Sequence, residues 1–163
     1  MPDESLSTAA ERVQQVLAAR GFAFVVRELP ASTRTAAEAA AAIGCDVCQI
    51  AKSLVFRMPE SDRALLVLAS GTNQVDTDKL AQLVGEPVAK ADATFVRAAS
   101  GFTIGGIPPV GHSQSLRTLI DQDLLELETL WAAAGTPHAV FELPAAALPA
   151  LTDGEVADVR REL

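Results

Sequence analysis

The chain has 163 residues, a length that lets one domain bury most of its apolar surface in a single core. Apolar residues make up 49% and charged residues 21%, which excludes a disordered chain, and no apolar run reaches the roughly 18 residues of a membrane span. A formal net charge of −8 excludes wrapping a long nucleic acid, because neutralising phosphates needs clustered Lys and Arg, but it leaves room for gripping a few nucleotides at one RNA end.

The opening MPDESLSTAAER carries acids and no basic stretch before an apolar run, so no signal peptide is expected and the cytoplasm is the expected location. Residues 5–20 place Val13, Val16 and Leu17 on one face, extended by Leu6, Ala9 and Ala10. This predicts an amphipathic helix stopped by Gly21. FAFVVREL (22–29) reads as a strand. Thr35 and Glu38 fit a capping box, opening a helix that stops at Gly44. KSLVFRM (52–58) and RALLVLAS (63–70) flank the polar turn PESD and predict a hairpin.

Asp76 or Thr77 can cap TDKLAQLV, which ends at Gly85; the short strand PVAKA follows. Asp92 can cap ATFVRAAS, which ends at Gly101, and residues 101–116 are loop-like. LRTLID (116–121) and HAVFEL (138–143) read as strands, LETLWAAAG between them is ambiguous, and PAAALPAL is a short helix. Hairpins mixed with helices favour an α+β (mixed α/β) fold over a doubly wound parallel sheet, in one domain spanning 1–163.

Cys45 and Cys48 form a C-x-x-C, compatible with a redox pair or half a zinc site. A structural zinc site needs four ligands, and neither a second C-x-x-C nor an H-x₃₋₅-H is present, so no metal and no cofactor are expected. The plainer alternative is two small side chains near a helix end. Asp121 and Asp123 read as a strand end and a helix cap, not a metal site. Six Phe, one Trp and no Tyr are too few aromatic side chains for a broad base-stacking platform.

Two features carry chemistry. Strand alternation puts Lys52 on the row of Leu54 and Phe56, where a lysine is unusual. It either snorkels to water or stands as a fixed cation at a pocket edge, able to bind phosphate or polarise a carbonyl. The segment SGFTIGGIPPVGHS combines close-approach glycines (Gly101, Gly105, Gly106, Gly111) with stiffening prolines (Pro108, Pro109), as suits either a rigid substrate wall or an ordinary surface loop. Gly106–Ser113 comes close to a phosphate-binding P-loop, but His112 replaces its lysine and Pro108 and Pro109 remove two cradling N–H groups. His112 could serve as a general base near neutral pH or simply wall a pocket. No G-x-S-x-G or G-x-G-x-x-G is present.

The pairing of I-x-K-S-L-V-F with the downstream G-G-x-P-P-x-G loop resembles the YbaK / prolyl-tRNA synthetase editing-domain family, the freestanding aminoacyl-tRNA deacylases, over roughly residues 10–160. The resemblance implies a central mixed, partly closed sheet surrounded by helices. It implies hydrolysis of the ester joining a small, wrong amino acid to tRNA. Lys52 would anchor the 3′-terminal adenosine or phosphate end. The G-x-x-x-P loop, Gly105–Pro109, would position the scissile carbonyl and water, with Lys52, Gly105, Gly106 and Pro109 as the catalytic set. Gly101, Phe102, Ile107, Pro108, Gly111 and His112 would bind substrate, with Thr33 and Ser70 as further pocket residues. The partners implied are the 3′ acceptor end of an aminoacyl-tRNA and an aminoacyl-tRNA synthetase, but neither a membrane nor DNA. A non-catalytic module that binds a nucleotide or tRNA end is the alternative, and a thiol redox protein a third reading.

Overall fold

Ser7 accepts the N–H of Ala10 and so opens helix α1 (Thr8–Ala19), which buries Ala10, Val13 and Leu17 along one stripe. The computed structural model describes residues 6–162; Ser5, the expected start of this helix, lies outside them. The strand expected from Phe22 shortens to β1 (Val26–Glu28). Phe22 stacks on Phe24, and Phe24 on Phe141, so aromatic packing takes the place of strand pairing there.

Helix α2 (Ala36–Ile43) starts at Thr35, whose hydroxyl oxygen accepts the Glu38 N–H at 3.1 Å and whose O–H donates to the Glu38 carboxylate at 3.2 Å. Cys45 and Cys48 follow as free thiols, the second within a 3₁₀ turn (Val47–Gln49) that leads into the sheet. Burial and the neighbouring Asp46 carboxylate push the Cys45 thiol up, away from the thiolate a redox nucleophile needs.

Strands β2 (Ile50–Met58) and β3 (Arg63–Ser70) form the expected antiparallel hairpin. Helix α3 (Thr77–Val84), strand β4 (Ala89–Lys90) and helix α4 (Ala93–Ser100) follow, the helices capped by Asp76 and Asp92. After the 101–116 loop come β5 (Arg117–Asp121), β6 (Thr129–Ala133), β7 (Ala139–Pro144), α5 (Leu148–Thr152) and β8 (Glu155–Ala157). The ambiguous LETLWAAAG segment is therefore a strand, held by antiparallel pairing to β7.

Eight strands form one mixed sheet in the order β1-β7-β6-β2-β3-β5-β8, with β4 branching from β2. The β2–β6, β3–β5 and β5–β8 pairs are parallel and the others antiparallel. Strand β3 is covered on both faces. Leu66 and Leu68 join the core under α1, while Leu65 and Val67 join a second cluster with Leu80 of α3. That double burial is why β3 reads as a continuous apolar run.

Strand β2 places the site. One edge pairs with β3 along almost its whole length. The other edge is shared: β6 pairs at Ile50 and Ala51, and β4 pairs at Phe56 and Arg57. Between those two partners, residues 52–55 have a strand on one side only. The sheet is notched at Lys52.

Candidate active site

The notch is roofed by the glycine–proline loop. Ile104, Gly105 and Ile107 come over β2, the start of α2 closes one side, and Trp131–Ala133 of β6 close another. The cavity measures about 250 Å³. Beyond Lys52 and Ser53 it continues into a wider groove of about 550 Å³ that reaches β4 and the C-terminal segment. Lys52, Ser53, Leu54, Ile104 and Ile107 line both spaces and mark their junction.

Lys52 is half-buried at that junction. Its ammonium donates to the backbone carbonyl of Asn73 at 2.6 Å. The Asn73 side-chain amide donates at 2.8 Å each to the carboxylates of Asp121 and Asp123. Asp121 is fully buried and also accepts the N–H groups of Ser70 and Asp123. Arg160 in turn donates to Asp123 at 3.0 Å. Burial pushes the lysine pKa down, because water no longer solvates the charge, and the Asp121 carboxylate opposes that shift.

Two hydroxyls have nothing to bind. Among the described residues, Thr33 Oγ1 and Ser53 Oγ are the buried side-chain polar atoms without a hydrogen-bond partner, and both residues line the cavity. Buried polar groups are nearly always satisfied, so an orphaned pair in two residues of one cavity wall stands out. Thr33 itself is fixed by its N–H, which donates to the Pro137 carbonyl.

The loop is held from several sides. The Gly106 N–H donates to the Thr103 carbonyl at 3.1 Å, and the Gly106 carbonyl accepts the Gly135 N–H at 2.9 Å. Gly106 is therefore a buried spacer whose own backbone groups are occupied. A Cβ there would sit 2.8 Å from the Thr136 backbone. Gly106→Ala is expected to destabilise the fold by about 1–3 kcal/mol. It should also cut activity by roughly 10²-fold, since a loop displaced by about an ångström misplaces the groups it carries. Thermal unfolding and single-turnover kinetics check the two effects separately.

Gly105, at φ 96°, lies over the aliphatic stem of Arg34. The N–H groups of Gly105 and Ile107 donate to no partner among the described residues, although both residues line the cavity.

The predicted site residues separate into three groups. Lys52, Gly105, Ile107 and Thr33 meet at the cavity, with Gly106 buttressing it against Thr136. Pro109, Gly111 and His112 line a different groove, beside α1 and β5. The His112 Nε2 lies 2.7 Å from the Pro108 carbonyl, which can only accept, so this nitrogen carries the proton. Burial pushes the imidazole pKa down and the Arg12 and Arg20 charges add to that, against the Pro108 carbonyl. His112 is thus a neutral staple within its loop, facing away from Lys52's cavity. The third group lines neither space. Gly101 caps α4; Phe102 is buried beneath the Arg12 guanidinium; Pro108 is buried; Ser70 donates to the Cys48 carbonyl.

Sequence reading missed Arg34, Ser53, Ile104 and Trp131 at the cavity, and Asn73 behind Lys52. The signal available in the sequence is Ile104 itself, a large apolar side chain in an expected loop; in the structure it is 49% exposed.

A sequence model described as the aminoacyl-tRNA editing domain matches residues 30–151, which include α2, Lys52, the whole loop and Asp121. The chain belongs to the aminoacyl-tRNA editing domain family. The chain is similar to Uncharacterized protein YwhH of Bacillus subtilis (strain 168), 32% identical over 118 residues that cover 72% of this chain and 74% of that protein. The solved structure of a candidate trans-editing enzyme for prolyl tRNA synthetase is similar at a TM-score of 0.91 and 50% identity, covering 97% of this editing domain and 100% of that chain. Hypothetical protein APE2540 is similar at a TM-score of 0.86 and 29% identity, covering 92% and 99%. The general function of this editing domain is aminoacyl-tRNA editing, and the fold expected from the resemblance is the one observed. Among the described residues, no helix is long and apolar enough to cross a membrane.

Proposed function

We propose that this editing domain is a trans-acting deacylase that hydrolyses the ester of a tRNA mischarged with a small amino acid. One observation carries the reading: Lys52, Thr33, Ser53, Gly105 and Ile107 line one cavity of about 250 Å³, and the Thr33 and Ser53 hydroxyls and the Gly105 and Ile107 N–H groups have no partner among the described residues. The trans-editing description of the 50%-identical structure supports it.

Lys52, at the junction, anchors the terminal adenosine or its phosphate. The ester carbonyl then lies under the loop, where the N–H groups of Gly105 and Ile107 meet the oxyanion that develops as water attacks. The new bond joins the water oxygen to the carbonyl carbon. The bond from that carbon to the ribose oxygen breaks, and the proton lost by water ends on that ribose oxygen. His112 faces another groove, so the proton travels through water or the substrate's own neighbouring hydroxyl. An aminoacyl ester is activated already, and positioning supplies much of the remaining rate.

The cavity walls set the size class. Ala36, Ala39, Ala132 and Ala133 line it together with Trp131, leaving room for a small side chain and few polar atoms to recognise one. An apolar wall discriminates one methylene by about 1–3 kcal/mol.

A panel of tRNAs charged with Ala, Cys, Ser, Thr and larger residues tests this. Hydrolysis confined to small residues is expected. Saturable binding of an aminoacyl-adenosine mimic with no turnover would instead support a binding module. Thr33→Val and Ser53→Ala provide a second check. Each removes an unsatisfied group, so stability should change by less than about 1 kcal/mol or rise, because the hydroxyl makes no internal hydrogen bond to lose. Each should lower kcat/KM by roughly tenfold, one lost hydrogen bond to the substrate. Unchanged kcat/KM in both would remove the hydroxyls from the site.

A further inference from the structure

The chain carries 21 acidic and 13 basic side chains, yet their distribution around the notch is reversed. No Asp or Glu lines the cavity or the groove beyond it, while Arg34, Lys52, Lys90 and Arg161 do. Six basic side chains elsewhere are tied to carboxylates: Arg20, Arg57, Arg63, Lys79, Arg117 and Arg160. The four at the notch have no ion-pair partner among the described residues. The groove around His112 shows the contrast, since there Arg20 and Arg117 stand among Asp153 and Glu155.

The two outer cations are held in place by backbone. Lys90 lies in β4, opposite Phe56 of β2. Arg161 donates its N–H to the Gln74 carbonyl at 2.7 Å and its guanidinium to the Gln74 side chain at 3.4 Å. The segment leading to it is fixed by the Asp76 N–H on the Val159 carbonyl and by the Lys79 ammonium on the Arg160 carbonyl.

We infer that the groove beyond Lys52 is a subsite for the phosphodiester backbone of a single RNA strand. Lys90 and Arg161 take the phosphates that precede the terminal nucleotide, and Gln74 holds Arg161 toward them. The strand therefore leaves the cavity past Lys52 toward β4 and the C-terminal segment. This rests on the deacylase reading for which end lies in the cavity, but the groove's preference for a polyanion rests on its charges alone. An acid-free cleft on a chain of net charge −8 also favours attraction at that cleft, as binding a strand end requires and wrapping a duplex does not.

The test uses uncharged single-stranded RNA ending in CCA, its binding followed by fluorescence anisotropy across a salt titration. Each phosphate contact in a single strand contributes about 0.7 to the slope of log affinity against log salt, so the double variant Lys90→Ala/Arg161→Ala should lose about 1.4. Arg27→Ala, the loss of one charge far along the sheet, should leave the slope unchanged. With mischarged tRNA, the double variant should raise KM roughly tenfold, whereas the aminoacyl ester of adenosine, which has no phosphate, should be hydrolysed as by the wild type. An unchanged slope in the double variant overturns the proposal. So does equal loss on the phosphate-free ester, or competition by polyglutamate as strong as by RNA of equal charge. If wild-type protein shows the slope and its loss but hydrolyses no ester, the strand subsite stands and the deacylase reading falls.

Discussion

Replacing Lys52 by alanine is expected to lower kcat/KM for a mischarged tRNA by about two orders of magnitude, the equivalent of roughly 3 kcal/mol for a desolvated charge contact. The fold should survive. In the folded protein the ammonium has one hydrogen bond, to the Asn73 carbonyl, and its burial lowers its pKa, so the charge is held at a cost. The sign of the pH effect follows. Between the lowered folded pKa and the ordinary lysine value, the unfolded chain binds more protons than the folded one, so the stability contribution of Lys52 rises with pH through that window. Activity moves the opposite way. As pH climbs through the folded pKa, the ammonium loses its proton and its hold on an anionic substrate, so deacylation falls at a lower pH than an ordinary lysine would give. Lys52→Arg keeps a charge but replaces a compact ammonium with a planar fork, and should rescue only partly. Melting curves and rates from neutral to alkaline pH check both directions. Wild-type kinetics in Lys52→Ala would remove the anchor from the mechanism.

Asp121→Ala should produce the largest loss of stability, about 3 kcal/mol, comparable to breaking a buried ionic contact. The carboxylate is fully buried and accepts three hydrogen bonds, from the Ser70 N–H, the Asn73 side chain and the Asp123 N–H. Alanine leaves all three donors short of an acceptor. A domain of this size should lose roughly 6–12 °C in Tm. The effect should reach the cavity as well. Asn73 carries the carbonyl that receives Lys52, and without Asp121 the lysine loses the charge that opposes its desolvation. Its pKa should fall further, and the alkaline loss of activity should move to lower pH than in the wild type. A variant that melts early but keeps the wild-type pH profile would limit Asp121 to the fold. NMR titration of the Lys52 side chain reads that shift without any hydrolysis assay.

What could be read in advance depends on how local each signal is. Helices α2, α3 and α4 were legible to the residue because Thr35, Asp76 and Asp92 cap them and Gly44, Gly85 and Gly101 end them, all within one turn. Strand β6 was not, since Trp-Ala-Ala is as compatible with a helix and becomes extended only by pairing with β7. Strand β8 is three residues long and exists through its parallel register with β5. At the site, the phase of Lys52 and the resemblance together found Lys52, Thr33, Gly105 and Ile107. His112 was drawn into the same pocket by sequence proximity, but the turn through Pro108–Gly111 carries it to the other side of the loop. Ser53 gave no signal because alternation places it on the face opposite Lys52; both reach the cavity only where the sheet is notched. Arg161 meets Lys90 through the fold of the whole chain, and no spacing rule spans that separation.

The notch in β2 also bears on how such a site can be retuned. Its width is set by which strands pair on either side of residues 52–55, so loop grafts cannot broaden it without breaking hydrogen bonds of the sheet. Substrate range must then be adjusted by side-chain volume, and five of the seventeen lining positions are already alanines. At those alanines the walls can be thickened one methyl at a time but not thinned, so extra room must come from Trp131 or from the aliphatic side chains Ile50, Leu54, Ile104, Ile107 and Val140. An engineer, or natural drift, starting from this chain would find narrower specificity by enlarging an alanine, whereas acceptance of a bulkier amino acid would require trimming Trp131 or one of the aliphatic side chains, at the cost of packing around it.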